Sequence, residues 1–389
     1  MRVLFSTTAN DGHLGPLLPF ARACAGAGHE VRVAAPASYA GTLDRAGLIH
    51  EPFDDAPPDL IGPIMARLPT LSFAEADDLV LREVFGRVDA QAALPALLDT
   101  VERWQPDVIV RESAELASLA AAERAGVPHA HVCIGMHEVA TRFAEATAEA
   151  REELGRLAGL ADGQMQAALA GEPVLSLVPE LLDHSTGEVP PEADAFRRFH
   201  EPGSAADGQR PSAWGDPDLP LVYVTFGSVA GSLPPFAGIF REALDALAGL
   251  DVCVLMTVGR RLDPNDLGPL PPNARVLQWV PQDAVLPHAA AVLGHGGFGT
   301  SMGALSAGVP QAIAPLFSFD QAVNGDHVAA TGAGVTTEIG PGVVGRAAEQ
   351  IPRLLEIAKY AESAGRVAAA MRELPPPSEA VAVLTDLAR

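Results

Sequence analysis

Residues Trp279 to Gln321 read WVPQDAVLPHAAAVLGHGGFGTSMGALSAGVPQAIAPLFSFDQ. Ala291 to Gly294 is a short apolar run with the character of a strand, and Gln311 to Pro315 is another. Between them, His295-Gly296-Gly297-Phe298-Gly299-Thr300 makes a glycine-rich turn leading into a helix start. Glycines there remove the side chains that would keep a phosphate from the backbone N–H groups. Trp279 at one end can stack on a base, while Asp320 and Gln321 at the other can accept and donate hydrogen bonds to vicinal hydroxyls. A glycine cluster alone marks only a loop. In this order the three features suit a nucleotide diphosphate carrying a polyhydroxylated group.

The alternation extends outward from this stretch. Leu221 to Phe226, ending in Gly227-Ser228, then Val252 to Val258 and Ala274 to Gln278, read as further strands of the second half. The first half follows the same logic. Val3 to Thr7 is a strand, the turn Ala9-Asn10-Asp11-Gly12 leads into a helix over about Leu14 to Ala27, and Glu30 to Ala35 is the next strand. A further unit runs from Asp107 to Val110 through a helix over Glu115 to Ala125 to Pro128 to Ile134. The expected class is therefore α/β, with two doubly wound parallel sheets and ligand sites at the carboxyl ends of strands. Helical segments at about Asp54 to Phe85 and Met136 to Leu182 interrupt the first alternation, and the stretch from Glu188 to Asp218, rich in Pro, Gly, Ser and charge, reads as a linker.

Composition narrows the function. A chain of 389 residues exceeds one ordinary hydrophobic core. Its net charge of −23 argues against a nucleic-acid or anionic-membrane surface. Lys359 is the only lysine. Cys24, Cys133 and Cys253 stand apart, beside apolar residues and without metal-ligand spacing, so they read as small core residues. Met1-Arg2-Val3-Leu4-Phe5 leads directly into a strand with no signal peptide, no apolar run is long enough to span a bilayer, and a cytoplasmic protein is expected.

Trp279, Gln282, His288, His295, Gly297, Asp320 and Gln321 fall in the order and spacing of the donor-binding signature of glycosyltransferases with two Rossmann-like domains, the GT-B architecture. The sequence resembles their bacterial natural-product branch, related to the UDP-glycosyltransferases, from Gly12-His13 to Leu374-Pro375-Pro376-Pro377-Ser378-Glu379-Ala380. The resemblance implies two Rossmann-like domains facing across a cleft. It places an acceptor-binding domain at 1–200, a linker at 201–217, a nucleotide-sugar-binding domain at 218–375 and a C-terminal helix at 376–389 that returns to the first domain. It also implies a catalytic base at His13, where a histidine can take a proton from the attacking acceptor hydroxyl. His13 would then face Gly297.

A histidine base needs its other nitrogen held, and Glu112, after the strand Val108 to Arg111, is the candidate. Related enzymes commonly have Asp at the matching point, so Glu112 departs by one methylene. Glu112 could instead pair with Arg111 or Arg124, and Asp11 and Glu115 are weaker alternatives to it. On the donor side, the resemblance assigns Trp279 and the Val280 backbone to the pyrimidine, His295, Gly297, Phe298, Gly299 and Thr300 to the diphosphate, and Asp320 with Gln321 to the sugar. Ser228 would touch a phosphate or the acceptor. Position 303, a glutamate in many UDP-using relatives, is Gly303 here, which favours a dTDP donor. The implied activity is inverting transfer of a sugar or deoxysugar from a dTDP- or UDP-sugar to a hydroxyl of a small apolar natural product, without metal or other cofactor. A homodimer or a helper protein is left open as partner. Two readings compete: a sugar-nucleotide epimerase, and a non-catalytic sugar-nucleotide binder that activates a partner transferase.

Overall fold

The computed structural model describes residues 1–187, 196–203, 210–232, 236 and 238–389. The chain divides into two compact units. The first comprises Met1–Leu177, Pro190–Glu201 and Pro375–Arg389, and the second Val178–Val189 and Pro202–Leu374.

In the first unit the strands are β1 (Arg2–Ser6), β2 (Glu30–Pro36), β3 (His50–Phe53), β4 (Val108–Glu112), β5 (His129–Val132), β6 (Val174–Ser176) and β7 (Phe196–Arg198). They form one parallel sheet in the order β3-β2-β1-β4-β5-β6-β7. Val3-Leu4-Phe5 and Val108-Ile109-Val110 are fully buried on both faces, as expected of a parallel sheet covered by helices. The helix Asp11–Gly26 begins at Asn10, whose side chain accepts from the Gly12 N–H at 2.9 Å, and packs Leu14, Leu17, Phe20 and Cys24 into the core. The closing helix Ala380–Leu387 buries Ala380 and Leu384 in that same core. Sequential strands run outward from β1 on one side and from β4 on the other, so the winding reverses between those two neighbours. Ligands of such sheets bind at that crevice.

The second unit repeats the plan with β8 (Leu221–Thr225), β9 (Cys253–Thr257), β10 (Ala274–Leu277), β11 (Ala289–Gly294), β12 (Gln311–Ile313) and β13 (Gly334–Thr336), in the order β10-β9-β8-β11-β12-β13. All its strand pairs are parallel. Val222, Val224 and Phe226 pack against Phe240 and Leu244 of the helix Ile239–Leu247. Its winding reverses between β8 and β11.

Three differences from the sequence reading have physical causes. Strands β3, β6, β7 and β13 are only three or four residues long, too short to show a period. Of the linker reading, residues 188–195 and 204–209 lie outside the described residues, while Phe196–Arg198 joins the sheet as β7 and Phe199 packs edge-on against Phe20 at 5.5 Å. The segment Val178–Val189, read as part of the first half, packs with the second unit, where the Leu182 carbonyl and the Ser185 hydroxyl meet the buried His327 ring. The three cysteines are buried and none is in a disulfide. Among the described residues no helix is long and apolar enough to cross a membrane.

Candidate active site and nucleotide site

The reversal point of the first sheet brings two of the candidate residues together. His13 lies in the first turn of the helix that follows β1, and Glu112 ends β4. Glu112 Oε1 is 3.1 Å from His13 Nδ1. The carboxylate is fully buried and also accepts from the Thr8 N–H and hydroxyl, each at 3.2 Å, and from the Ala114 N–H at 2.6 Å. Burial pushes its pKa up, but the His13 charge and hydrogen bond, with the N–H groups of Ala114 and Thr8, outweigh burial and hold it below the ordinary value. Glu112 is thus an anchored carboxylate. The His13 ring stacks on Phe85, with centroids 5.3 Å apart and planes inclined by 29°.

The alternative partners are engaged elsewhere. Arg111 makes a buried two-point ion pair with Glu172, Nε to Oε1 at 3.0 Å and Nη2 to Oε2 at 2.5 Å, and His129 Nδ1 lies 2.9 Å from Glu172. Arg124 donates to the Ala158 carbonyl at 2.7 Å. Glu115 accepts from the Ala117 N–H at 2.8 Å and from Ser118, capping the helix Ala117–Ala125. Asp11 accepts from the Tyr39 hydroxyl at 2.6 Å. No local pattern in the sequence marks Glu172 as the partner of Arg111, because the two are 61 residues apart.

His131 lies on β5 beside this network, its Nε2 2.8 Å from the Ser113 hydroxyl. Burial, reinforced by the Arg111 charge and opposed by Glu172 and Glu112, lowers its pKa from 6.5 to about 4. An unfolded chain therefore takes up the His131 proton near pH 6.5, whereas the folded chain resists until about 4. The stability that the neutral ring contributes is complete above pH 6.5 and is lost as pH falls toward 4. His131→Asn should accordingly lose less stability than the wild-type chain between those limits, by an amount on the order of 2–3 kcal/mol for a shift of this size. Urea midpoints of both proteins across that range measure it, and parallel curves would contradict it.

The second unit carries the glycine-rich stretch at its own reversal point. After β11 the turn leads to the helix Phe298–Ser306, whose N-cap is Gly297 and which has no side-chain cap. Its first N–H groups, those of Phe298, Gly299 and Thr300, are left for a ligand by helix geometry. Two of the glycines serve packing more than ligand access. Gly296 has φ +83° and a Cβ there would meet the Gln321 carbonyl oxygen at 2.4 Å; a Cβ on Gly297 would come within 2.4 Å of His295 Nε2. The His295 ring also leaves no room for a Cβ at Gly227, where the nearest ring atom would be 2.8 Å away. At Gly299, by contrast, the space is open.

His295 is buried, and burial lowers its pKa to about 4 against an opposing hydrogen bond to the Thr225 backbone. The ring is therefore neutral at neutral pH, and its Nδ1 has no hydrogen-bond partner among the described residues. Thr300 is buried and accepts from Gln282 Nε2 at 3.0 Å. Trp279 is 53% exposed with the Arg260 guanidinium over its face at 4.5 Å, and the Val280 side chain packs on the core beneath. Ser228 is exposed on the loop after β8.

Asp320 lies in the first turn of the helix Phe319–Ala330. Gln321 is buried and its Oε1 accepts from the N–H groups of Leu316 at 2.8 Å and Phe317 at 3.2 Å, so that oxygen braces the loop. His288 packs edge-on against Trp214 at 6.1 Å, a structural contact. A Cβ at Gly303 would face Leu286 Cδ1 at 2.9 Å and Gln282 Oε1 at 3.8 Å. Asn324, unmarked by the sequence reading, donates to the Gly296 carbonyl at 2.8 Å and fixes the turn.

Family models match both halves of the chain. The family model described as "Erythromycin biosynthesis protein CIII-like, C-terminal domain" matches residues 241–387, and its N-terminal counterpart matches residues 22–187. Elloramycin glycosyltransferase ElmGT of Streptomyces olivaceus is 31% identical, with 99% of this chain and 97% of that protein covered. TDP-daunosamine transferase DnrS of Streptomyces peucetius is 28% identical, with 100% and 97% covered. Among solved structures, the glycosyltransferase SnogD from Streptomyces nogalater matches with a TM-score of 0.75 at 27% identity, covering 100% of this chain and 99% of that one. The family carries the transferase reading over the epimerase and the non-catalytic binder. With its two doubly wound sheets, the chain belongs to the erythromycin biosynthesis protein CIII-like family and is a glycosyltransferase of antibiotic biosynthesis with the GT-B fold.

Proposed function

We propose that the protein moves a sugar or deoxysugar from a dTDP- or UDP-linked donor to a hydroxyl of a small, largely apolar natural product, inverting the anomeric centre and using no metal or other cofactor. The observation that carries this reading is the His13–Glu112 contact at 3.1 Å, made while Arg111, Arg124 and Glu115 are engaged elsewhere. Glu112 accepts from Nδ1–H and so leaves Nε2 to take the proton of the acceptor hydroxyl as its oxygen attacks the anomeric carbon. The C–O bond to the acceptor forms as the bond to the diphosphate breaks, a single displacement that inverts. Glu112 stabilises the imidazolium that results.

On the donor side, the uncapped helix start at Phe298, Gly299 and Thr300 meets the diphosphate and takes up its charge on departure. His295 is neutral without ligand; a phosphate beside it raises its proton affinity, and Nδ1–H then gains the partner it lacks. Trp279 stacks on or flanks the pyrimidine, the Val280 backbone meets its edge, and Ser228 adds a hydroxyl to a phosphate or lies on the acceptor side. Asp320 and the Gln321 amide nitrogen bind the sugar.

Gly303 offers no acceptor to a ribose 2′-hydroxyl, and DnrS is named for a TDP-linked sugar, so the proposed donor is dTDP-linked. dTDP should stabilise the chain at least as much as UDP at equal concentration, read as the rise in melting temperature with ligand. A clear preference for UDP would overturn the donor assignment. Failure of both, with no release of nucleotide from either sugar donor in the presence of acceptor alcohols, would overturn the reaction.

A further inference from the structure

Val80–Asp89 is wound as a π-helix, a rare geometry that tends to occur at functional sites. Two of its residues, Phe85 and Asp89, line a cavity of about 470 Å³ in the first unit together with Phe53, Ile61, Thr8 and Ala114. Phe85 is the ring stacked on His13, and Thr8 and Ala114 are the residues whose N–H groups anchor Glu112, so this cavity adjoins the pair assigned as catalytic. Its wall is largely apolar. The charged residues lining it are all acids, Asp54, Asp55, Asp89 and Glu115, and no Arg, Lys or His is among the described residues that line it.

These acids differ in what they already hold. Glu115 caps a helix, Asp55 accepts from the Ser38 N–H at 2.9 Å and from its hydroxyl, and Asp54 is exposed. The Asp89 side chain is half-buried, and the one positive charge acting on its carboxylate is that of His13. Burial raises its pKa to about 6, the His13 charge opposing and those of Glu112 and Asp55 adding. Asp89 lines the cavity and is not sealed from it, so a cation entering there can pair with the carboxylate.

Resting on the acceptor reading above, we propose that Asp89 determines acceptor specificity and selects an acceptor bearing a basic nitrogen as well as the hydroxyl that receives the sugar. The ammonium pairs with the Asp89 carboxylate in a charge-assisted hydrogen bond, and the apolar body of the acceptor fills the space between Phe53, Ile61 and Phe85. Anionic acceptors are disfavoured by the same wall.

The test uses two probe alcohols of the same shape, 6-(dimethylaminomethyl)-2-naphthol and 6-isobutyl-2-naphthol, titrated calorimetrically into the full chain without donor. The amine should bind on the order of tenfold to a hundredfold more tightly than its carbon isostere. In Asp89→Asn, and in Asp89→Ser as a second variant, that ratio should collapse toward one, whereas Asp54→Asn should keep it. Equal affinities in the wild-type chain, or a ratio that survives both Asp89 variants, would overturn the role of Asp89 while leaving the acceptor cavity in place. If neither probe binds, the cavity is not an acceptor site, and the assignment falls together with that part of the reading it rests on.

Discussion

His13→Ala should reduce transfer to an alkyl hydroxyl by about a hundred- to ten-thousand-fold, the contribution general-base catalysis ordinarily makes. The affinity for dTDP should stay the same within about twofold, since His13 belongs to the first unit and the residues assigned to the nucleotide to the second. Glu112→Gln should slow the reaction less. The amide keeps the volume and can still meet Nδ1, but it no longer fixes the tautomer or stabilises the imidazolium. Because the Ala114 and Thr8 N–H groups point at that side chain, Glu112→Gln also exchanges an anion for an amide inside a set of donors. Single-turnover rates and separate nucleotide titrations distinguish the two variants, and equal losses in both would mean that Glu112 does more than orient the histidine.

The second large effect is on stability. Arg111 and Glu172 each have side chains about 1% exposed, and Glu172 is held well below the ordinary carboxylate range because Arg111 and the neighbouring histidines outweigh its burial. Glu172→Gln removes the carboxylate that pairs directly with the buried guanidinium and leaves only the charges of Glu115 and Glu112 to act on it, which should cost roughly 3–5 kcal/mol of unfolding free energy. Replacing both partners by apolar residues of similar volume, Arg111→Met with Glu172→Leu, should cost clearly less than the single change. Urea unfolding of the three variants measures this. A loss under about 1 kcal/mol for Glu172→Gln would mean that water or a local rearrangement reaches Arg111.

Much of this architecture is legible in the chain because a strand buried on both faces must be a continuous apolar run. Val3 to Phe5, Val108 to Val110 and Leu221 to Val224 are of that kind, and β1, β4 and β8 follow from them. Edge strands carry no such constraint. Phe196-Arg197-Arg198 reads as loop, and only its partner β6 makes it a strand. The His13–Glu112 pair was legible because both residues follow strands that a doubly wound order can place side by side. What occupies Arg111 was not, since Glu172 comes from the far end of the helical insertion and no period connects the two.

The glycine turn gives the opposite lesson. Its composition points to phosphate, but the structure shows Gly296 and Gly297 cleared for the Gln321 carbonyl and the His295 ring. Close packing and ligand access demand the same residue and cannot be separated by sequence. Gln321 shows the same thing in a polar side chain, because its carboxamide oxygen is spent on the loop at Leu316 and Phe317.

The central claim is that His13 removes the acceptor proton, and the dependence of rate on acceptor acidity tests it most directly. Transfer by the wild-type chain and by His13→Ala is measured with two acceptors of similar shape, an alkyl alcohol and an acidic phenol already ionised at the assay pH. A phenolate needs no base, so the variant should recover a large part of the wild-type rate on the phenol and remain slow on the alcohol, with loss on the alcohol of at least about a hundredfold. A variant that keeps near wild-type rates on the alkyl alcohol would contradict the account and move the search for the base to Asp11.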